Sequence, residues 1–178
     1  MAQFKTAFEK VINNEGGYAN DAEDPGGETH KGVSRNNWPK WLGWHIIDLL
    51  KMQSNFPQNL NQSAELQAEV EQFYTLQFWE KIKGDDMNSQ EIADSIFDFA
   101  VNAGTTTAAT LAQMVVNSKA DGVIGPQTVT ALNTIDPEYF LAAFTVAKIA
   151  RYIIIVKKRP TSKKYFYGWV CRALGETN

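Results

Sequence analysis

The sequence has a single cysteine, Cys171, in 178 residues, so it can form no intrachain disulfide and no CxxC redox or zinc pair. Histidine is nearly as scarce. His30 and His45 form no HxxxH pair, which leaves a zinc peptidase or amidase without its ligands. A cysteine peptidase would need Cys171 beside one of them, and no local signature for that exists. The residue reads as a small buried hydrophobe near a helix end. The opening segment MAQFKTAFEKVINNEGG has no basic region followed by an unbroken apolar stretch, so no signal peptide is expected and any export must use another route. The one long apolar run, residues 139–156, is broken by Lys148 and Arg151. It is expected to be a buried core helix, not a membrane span.

What is present is enough for a substantial core: 44% of the residues are apolar, and the length suits one compact domain or one with a small appendage. Charge is unevenly divided. Residues 1–138 carry 9 basic and 19 acidic side chains, whereas residues 139–178 carry 8 basic and 1 acidic. Lys157, Lys158, Arg159, Lys163 and Lys164 offer a basic surface to an anionic polymer, or simply a solvated connection that offsets the acidic half. No nucleic-acid-binding signature accompanies them, and no nucleic acid partner is expected.

Residues 15–34, EGGYANDAEDPGGETHKGVS, look built for chemistry. Phe4, Phe8, Val11 and Ile12 recur at helical spacing, so Glu15 falls where a helix runs out into two glycines. One reading is a half-desolvated carboxyl whose pKa burial raises, as a general acid near neutral pH requires. The other is an exposed carboxylate at a helix C-terminus, a place the helix dipole disfavours for a negative charge. The glycines permit close approach of another segment or a ligand. Asp24-Pro25-Gly26-Gly27 is a turn signal; it folds the loop back so that Asp24 and Thr29 return toward Glu15, although Asp before Pro serves turns for their own sake. Tyr18 either stacks on a ligand or closes over the core. Thr29 and Val33, with Gly32 between, fit a short strand pair, and Asp21, Glu23 and Glu28 read as solvated loop charges.

Farther on, Trp38, Trp41 and Trp44 fall three residues apart, which predicts a helix from about Trp38 or Pro39 in which core packing is the commoner use of the rings. Residues 51–63 read as a loop and a mobile flank of a cleft. A helix is expected over residues 63–79, ending at Phe78-Trp79. Asn88, with Glu91 three residues on, has capping-box spacing for the next helix, which Gly104 stops. On that helix Asp98 and Asn102 share one face. They either contact a ligand or hydrogen-bond loop backbone to shape its site. Asp121-Gly122-Val123-Ile124-Gly125-Pro126-Gln127-Thr128 is a turn followed by a proline-started helix, too short for a core of its own.

Several of these segments resemble one family. EGGY, then DPGG, then a threonine and a glycine before an aliphatic residue, is similar to glycoside hydrolase family 108, muramidases also called secretion activator proteins. FDFAVNAG at residues 97–104 resembles that family's central helix. Phe78-Trp79 resembles its Tyr-Trp pair with one ring changed, and Gly168-Trp169 with Arg172 resembles its closing residues. DGVIGPQT resembles a motif of peptidoglycan-binding modules. The spacing of Glu15, Asp24 and Thr29 is similar to the Glu/Asp/Thr set of phage-type lysozymes, whose last gap is one residue longer.

The resemblance implies a mainly α, lysozyme-like fold with a small hairpin or short sheet near the active-site loop. It implies a catalytic part at 1–104 and a helical part at 105–178 with a peptidoglycan-binding-like segment, expected to pack together. It also implies cleavage of the β-1,4 bond between N-acetylmuramic acid and N-acetylglucosamine. Glu15 would be the general acid, Asp24 and Thr29 would position water, and Tyr18, Trp79, Asp98 and Asn102 would bind substrate, with no metal or cofactor. The partner would be the peptidoglycan glycan strand, met by a monomer made in the cytoplasm and acting on the wall after export or release. A lytic transglycosylase, in which the sugar's own hydroxyl attacks, and a non-catalytic wall-binding or secretion-assisting protein stand as alternatives.

Overall fold

The computed structural model describes residues 1–13, 15–21 and 26–175. The fold is mainly α as expected: among the described residues, eight α-helices accompany one three-stranded antiparallel sheet. Contacts divide the chain into two compact units, one of residues 4–80 and the other of residues 1–3 with the chain from Lys81 onward.

The first unit opens with α1, Phe4–Ile12, whose Ala7, Phe8 and Val11 are buried because they recur on one helical face. Strands β1 (Tyr18–Asn20), β2 (Glu28–His30) and β3 (Val33–Ser34) follow in that spatial order. Helix α2 is Gly43–Leu50, so it starts later than the tryptophan spacing predicts. Trp41 N–H bonds the Trp38 carbonyl and Trp44 N–H that of Trp41, both at 3.1 Å; the three-residue spacing is spent on turns. Residues 51–63 are more built than a loose flank. They include a 3₁₀ turn at Gln58–Gln62 with Leu60 buried and the Asn59 amide donating to the Leu50 carbonyl at 3.0 Å. The polar side chain there satisfies backbone rather than water.

Helix α3 (Ala64–Tyr74) is capped by Ser63, whose hydroxyl accepts from Leu66 N–H. It buries Leu66, Val70, Phe73 and Tyr74. Its end widens into a π turn, Thr75–Trp79, closed by Glu80 N–H on the Thr75 carbonyl at 3.0 Å.

In the second unit, α4 (Gln90–Ala103) is capped by Ser89, not Asn88: the Ser89 hydroxyl accepts from Ile92 N–H, while Asn88 N–H is taken by the Asn133 side chain at 2.7 Å. Gly104, at φ +87°, ends it. Helices α5 (Thr105–Val115), α6 (Pro126–Thr134), α7 (Pro137–Lys158) and α8 (Phe166–Leu174) complete the unit around Phe97, Phe99, Phe140 and Phe144. Pro126 opens α6 as its position suggests. Helix α7 is 22 residues long and apolar enough, by length and composition, to cross a membrane. It is a core helix on one face only. Phe140, Phe144, Lys148 and Tyr152, at four-residue intervals, are buried, while Tyr139, Val146, Ile153 and Ile154 on other faces are exposed.

Candidate active site

Strands β2 and β3 pair with His30 opposite Val33, leaving Lys31-Gly32 as a two-residue hairpin loop. Both residues are left-handed, φ +44° and +76°, as a type I′ turn requires. Lysine is an unusual choice at such a φ, and three contacts hold it. Lys31 N–H donates to the Gly17 carbonyl at 3.2 Å, its carbonyl accepts from the buried Tyr74 hydroxyl at 2.9 Å, and its ammonium donates to the Gln67 side chain. Glu15 stands at the mouth of this turn, half-buried, its N–H on the Ile12 carbonyl at the end of α1. A methyl group placed on Gly32 would sit 2.8 Å from Glu15 Oε2 and 2.6 Å from the Tyr74 hydroxyl. Gly17 is approached by the hairpin through its carbonyl, whereas a methyl group placed on Gly16 or Gly17 would meet nothing among the described residues within 4 Å; the tight steric approach is at Gly32.

The rest of the sheet is charged and tied. Glu28 is not a solvated loop acid. Lys51 and Arg35 each approach its carboxylate to 2.7 Å, and only 10% of its side chain is exposed. Burial alone would raise its pKa, but hydrogen bonds from Lys51 and Tyr18 and the Arg35 charge outweigh it and hold the carboxyl below its ordinary value. Tyr18, whose ring meets Phe56 edge-on at 4.8 Å, is pushed upward by burial and by Glu28. Arg35 also pairs with Asp48 at 2.6 Å and lies over the Trp44 ring. His30 is 1% exposed and neither ring nitrogen has a hydrogen-bond partner among the described residues. Burial, with the Lys31 charge adding to it, lowers its pKa to about 4, so it is neutral near pH 7. Among the described residues no three His, Cys, Asp or Glu side chains group as metal ligands would.

Thr29 sits at the centre of β2, paired with Ala19 and Ser34. It faces the side opposite Glu28 and His30 by strand alternation, on the hairpin whose turn meets Glu15. Asp24 lies outside the described residues. Trp79 is 1% exposed, its ring edge-on to Phe4 at 5.8 Å. Of the three clustered tryptophans, Trp44 is buried, whereas Trp38 and Trp41 line an open groove of about 500 Å³ with Phe73, Leu76, Gln72 and Gln77. In the second unit, Asn102 is exposed and its amide donates to the Asp98 carbonyl at 2.7 Å; the Asp98 carboxylate pairs with Arg172 at 2.9 Å. Sequence reasoning missed Gly32, Tyr74 and Lys31 as a unit. Two residues, Lys-Gly, between Thr-His and Val-Ser were the available signal for the turn.

Residues 102–174 match the family model described as "Predicted Peptidoglycan domain". A solved structure of Brucella abortus SagA is similar at 25% identity and a TM-score of 0.66, over 96% of this chain and 88% of that one. No curated protein matches. Residues 8–104, more than half of the chain and all of the hairpin site, match the model described as Glycosyl hydrolase 108. The two matches give the chain a peptidoglycan-related function, and the extent of the second of them settles its kinship: the chain belongs to the glycosyl hydrolase 108 family.

Proposed function

We propose that the protein is a muramidase that hydrolyses the β-1,4 bond between N-acetylmuramic acid and N-acetylglucosamine, with Glu15 as the general acid. The observation that carries this reading is the half-buried Glu15 at the end of α1, its carboxylate against a strained hairpin turn inside the glycoside hydrolase region. Protonated Glu15 gives its proton to the glycosidic oxygen. That oxygen takes the bonding pair and leaves with N-acetylglucosamine, while an oxocarbenium-like centre develops at muramic acid C1. Asp24 and Thr29 are the proposed positioners of the water that attacks that carbon. Inversion through such a pair needs the two carboxyls about 6.5–9.5 Å apart. Tyr18, on the neighbouring strand, is the proposed sugar contact, with residues 1–104 the catalytic part and 105–178 the wall-binding part.

Mass spectrometry of soluble fragments from peptidoglycan treated with wild type and with Glu15→Gln tests the reading. Wild type is expected to release fragments with reducing muramic acid ends, and Glu15→Gln is expected to fall by at least about 100-fold. Fragments with 1,6-anhydro ends would reassign the protein to the lytic transglycosylases. Release by neither protein from several wall types would leave a non-catalytic wall-binding role.

A further inference from the structure

Three helices of the second unit bring together a group of charges that the hairpin chemistry does not use. Lys148 lies on the inward stripe of α7 and is only 6% exposed. Its ammonium stands 5.3 Å from the Phe144 ring centroid. From α4 and α8, Asp98 and Arg172 form their 2.9 Å pair beside it, close enough that both act on its charge. Arg172 Nε is buried without a partner among the described residues. The cluster thus holds two cations and one carboxylate, with the buried Arg172 Nε lacking an acceptor among the described residues, an arrangement that favours a further anion. It is reachable, because about a third of the Asp98 and Arg172 side chains remains exposed. An aromatic file leads outward from it: the Tyr152 ring lies against Trp169 at 5.4 Å, and Trp169 stacks on Tyr165, which is 53% exposed.

We propose that Lys148 and Arg172, with Asp98 orienting the arginine, bind a carboxylate of a peptidoglycan stem peptide, the attached sugar lying along Tyr165 and Trp169. The charge count selects the ligand. One carboxylate neutralises the surplus of one positive charge on Lys148, Arg172 and Asp98, whereas a phosphate dianion would leave a negative excess beside the buried Lys148. Flat aromatic faces suit the C–H faces of a sugar ring, and Lys148, Tyr152, Tyr165, Trp169 and Arg172 all lie within the span of the peptidoglycan-domain match. The choice of peptidoglycan rests on the proposed function. The test reads binding and not cleavage, so the two can fail separately.

The probe is a purified disaccharide-tetrapeptide muropeptide, titrated into wild type, Glu15→Gln, Lys148→Met and Lys148→Arg by calorimetry. Controls are the same muropeptide with its carboxyls amidated, the disaccharide without peptide, and inorganic phosphate. Wild type and Glu15→Gln are expected to bind the free-acid muropeptide at least about tenfold more tightly than the amidated one. Lys148→Met should lose that preference while melting no lower than wild type, since methionine fills the same apolar slot without a buried charge, and Lys148→Arg should retain it. Equal binding of acid and amidated probes by wild type overturns the proposal, as does an unchanged preference in Lys148→Met. Phosphate binding more tightly than the muropeptide also overturns it. Should Lys148→Met fail to fold, the wild-type acid-to-amide ratio decides the matter by itself.

Discussion

Gly32 carries the most specific consequence at the scale of single residues. Its φ of +76° costs an L side chain about 1 kcal/mol, and here the added methyl also meets the Tyr74 hydroxyl and Glu15 Oε2. Tyr74 is 2% exposed and held by the Lys31 carbonyl, so the Glu15 carboxylate must move. Gly32→Ala is expected to remain folded, to lose roughly 2–3 kcal/mol of stability, and, on the proposed role of Glu15 as proton donor, to lower peptidoglycan cleavage by at least about tenfold. Tyr74→Phe in the same chain removes one of the two obstructing atoms and should restore part of the stability. Urea denaturation with a cleavage assay on the single and double variants checks this. If Gly32→Ala cleaves as wild type does, the carboxylate beside Gly32 is not the acid that acts. The place of Glu15 just past α1 was legible because helical periodicity stops just before it. Gly32 and Tyr74 were not, because their roles arise from a tertiary approach between a turn and a helix 42 residues apart in sequence.

Among the elements, the segment at residues 121–128 separates what local sequence specifies from what it leaves open. Its turn and its proline-started helix follow from Gly122, at φ +79°, and Pro126. What fixes it to the unit is Gln113, a fully buried amide on the otherwise apolar face of α5. The Gln113 amide nitrogen donates to Asp121 Oδ1 at 2.9 Å and to the Val123 carbonyl at 3.0 Å, and its oxygen accepts from Gly122 N–H at 2.9 Å. A glutamine among Ala108, Leu111 and Ala112 was the available signal, since a buried amide needs partners. The choice of Ser89 over Asn88 as cap is a subtler case. Both residue types cap helices, and only the bond from Asn88 N–H to Asn133, 45 residues on, decides between them. Gln113→Met keeps the volume but strands the Gly122 and Val123 backbone groups. A loss of about 2–3 kcal/mol is expected, with new proteolytic cleavage confined to residues 119–125. Stability within about 0.5 kcal/mol of wild type would mean the turn holds itself.

Across the whole molecule, helix content and the small sheet were readable from periodicity and turn residues, whereas the polar interior was not, because each buried polar group depends on neighbours remote in sequence. His30 shows how this shapes the response to acid. Its pKa is about 4 in the native unit against about 6.5 in an unfolded chain. Between those values the unfolded state binds a proton that the native state excludes, so stability falls as pH drops from 6.5 to 4. The loss reaches about 3 kcal/mol at the lower end. Glu28, held below its ordinary value, adds its own loss only as pH falls further, where the unfolded carboxylate protonates first. In the second unit, burial lowers Lys148 and raises Tyr152. Both groups have ordinary values at or above pH 10. Acid should therefore weaken residues 4–80 before it weakens residues 81–175, visible as earlier loss of amide-exchange protection in the first segment once intrinsic exchange rates are corrected for pH. Because the His30 nitrogens have no partners among the described residues, His30→Leu should cost less than about 1 kcal/mol at pH 7 and should flatten the stability curve between pH 6.5 and 4.5. Parallel slopes for wild type and His30→Leu in urea denaturation across that range would assign the acid sensitivity to another group.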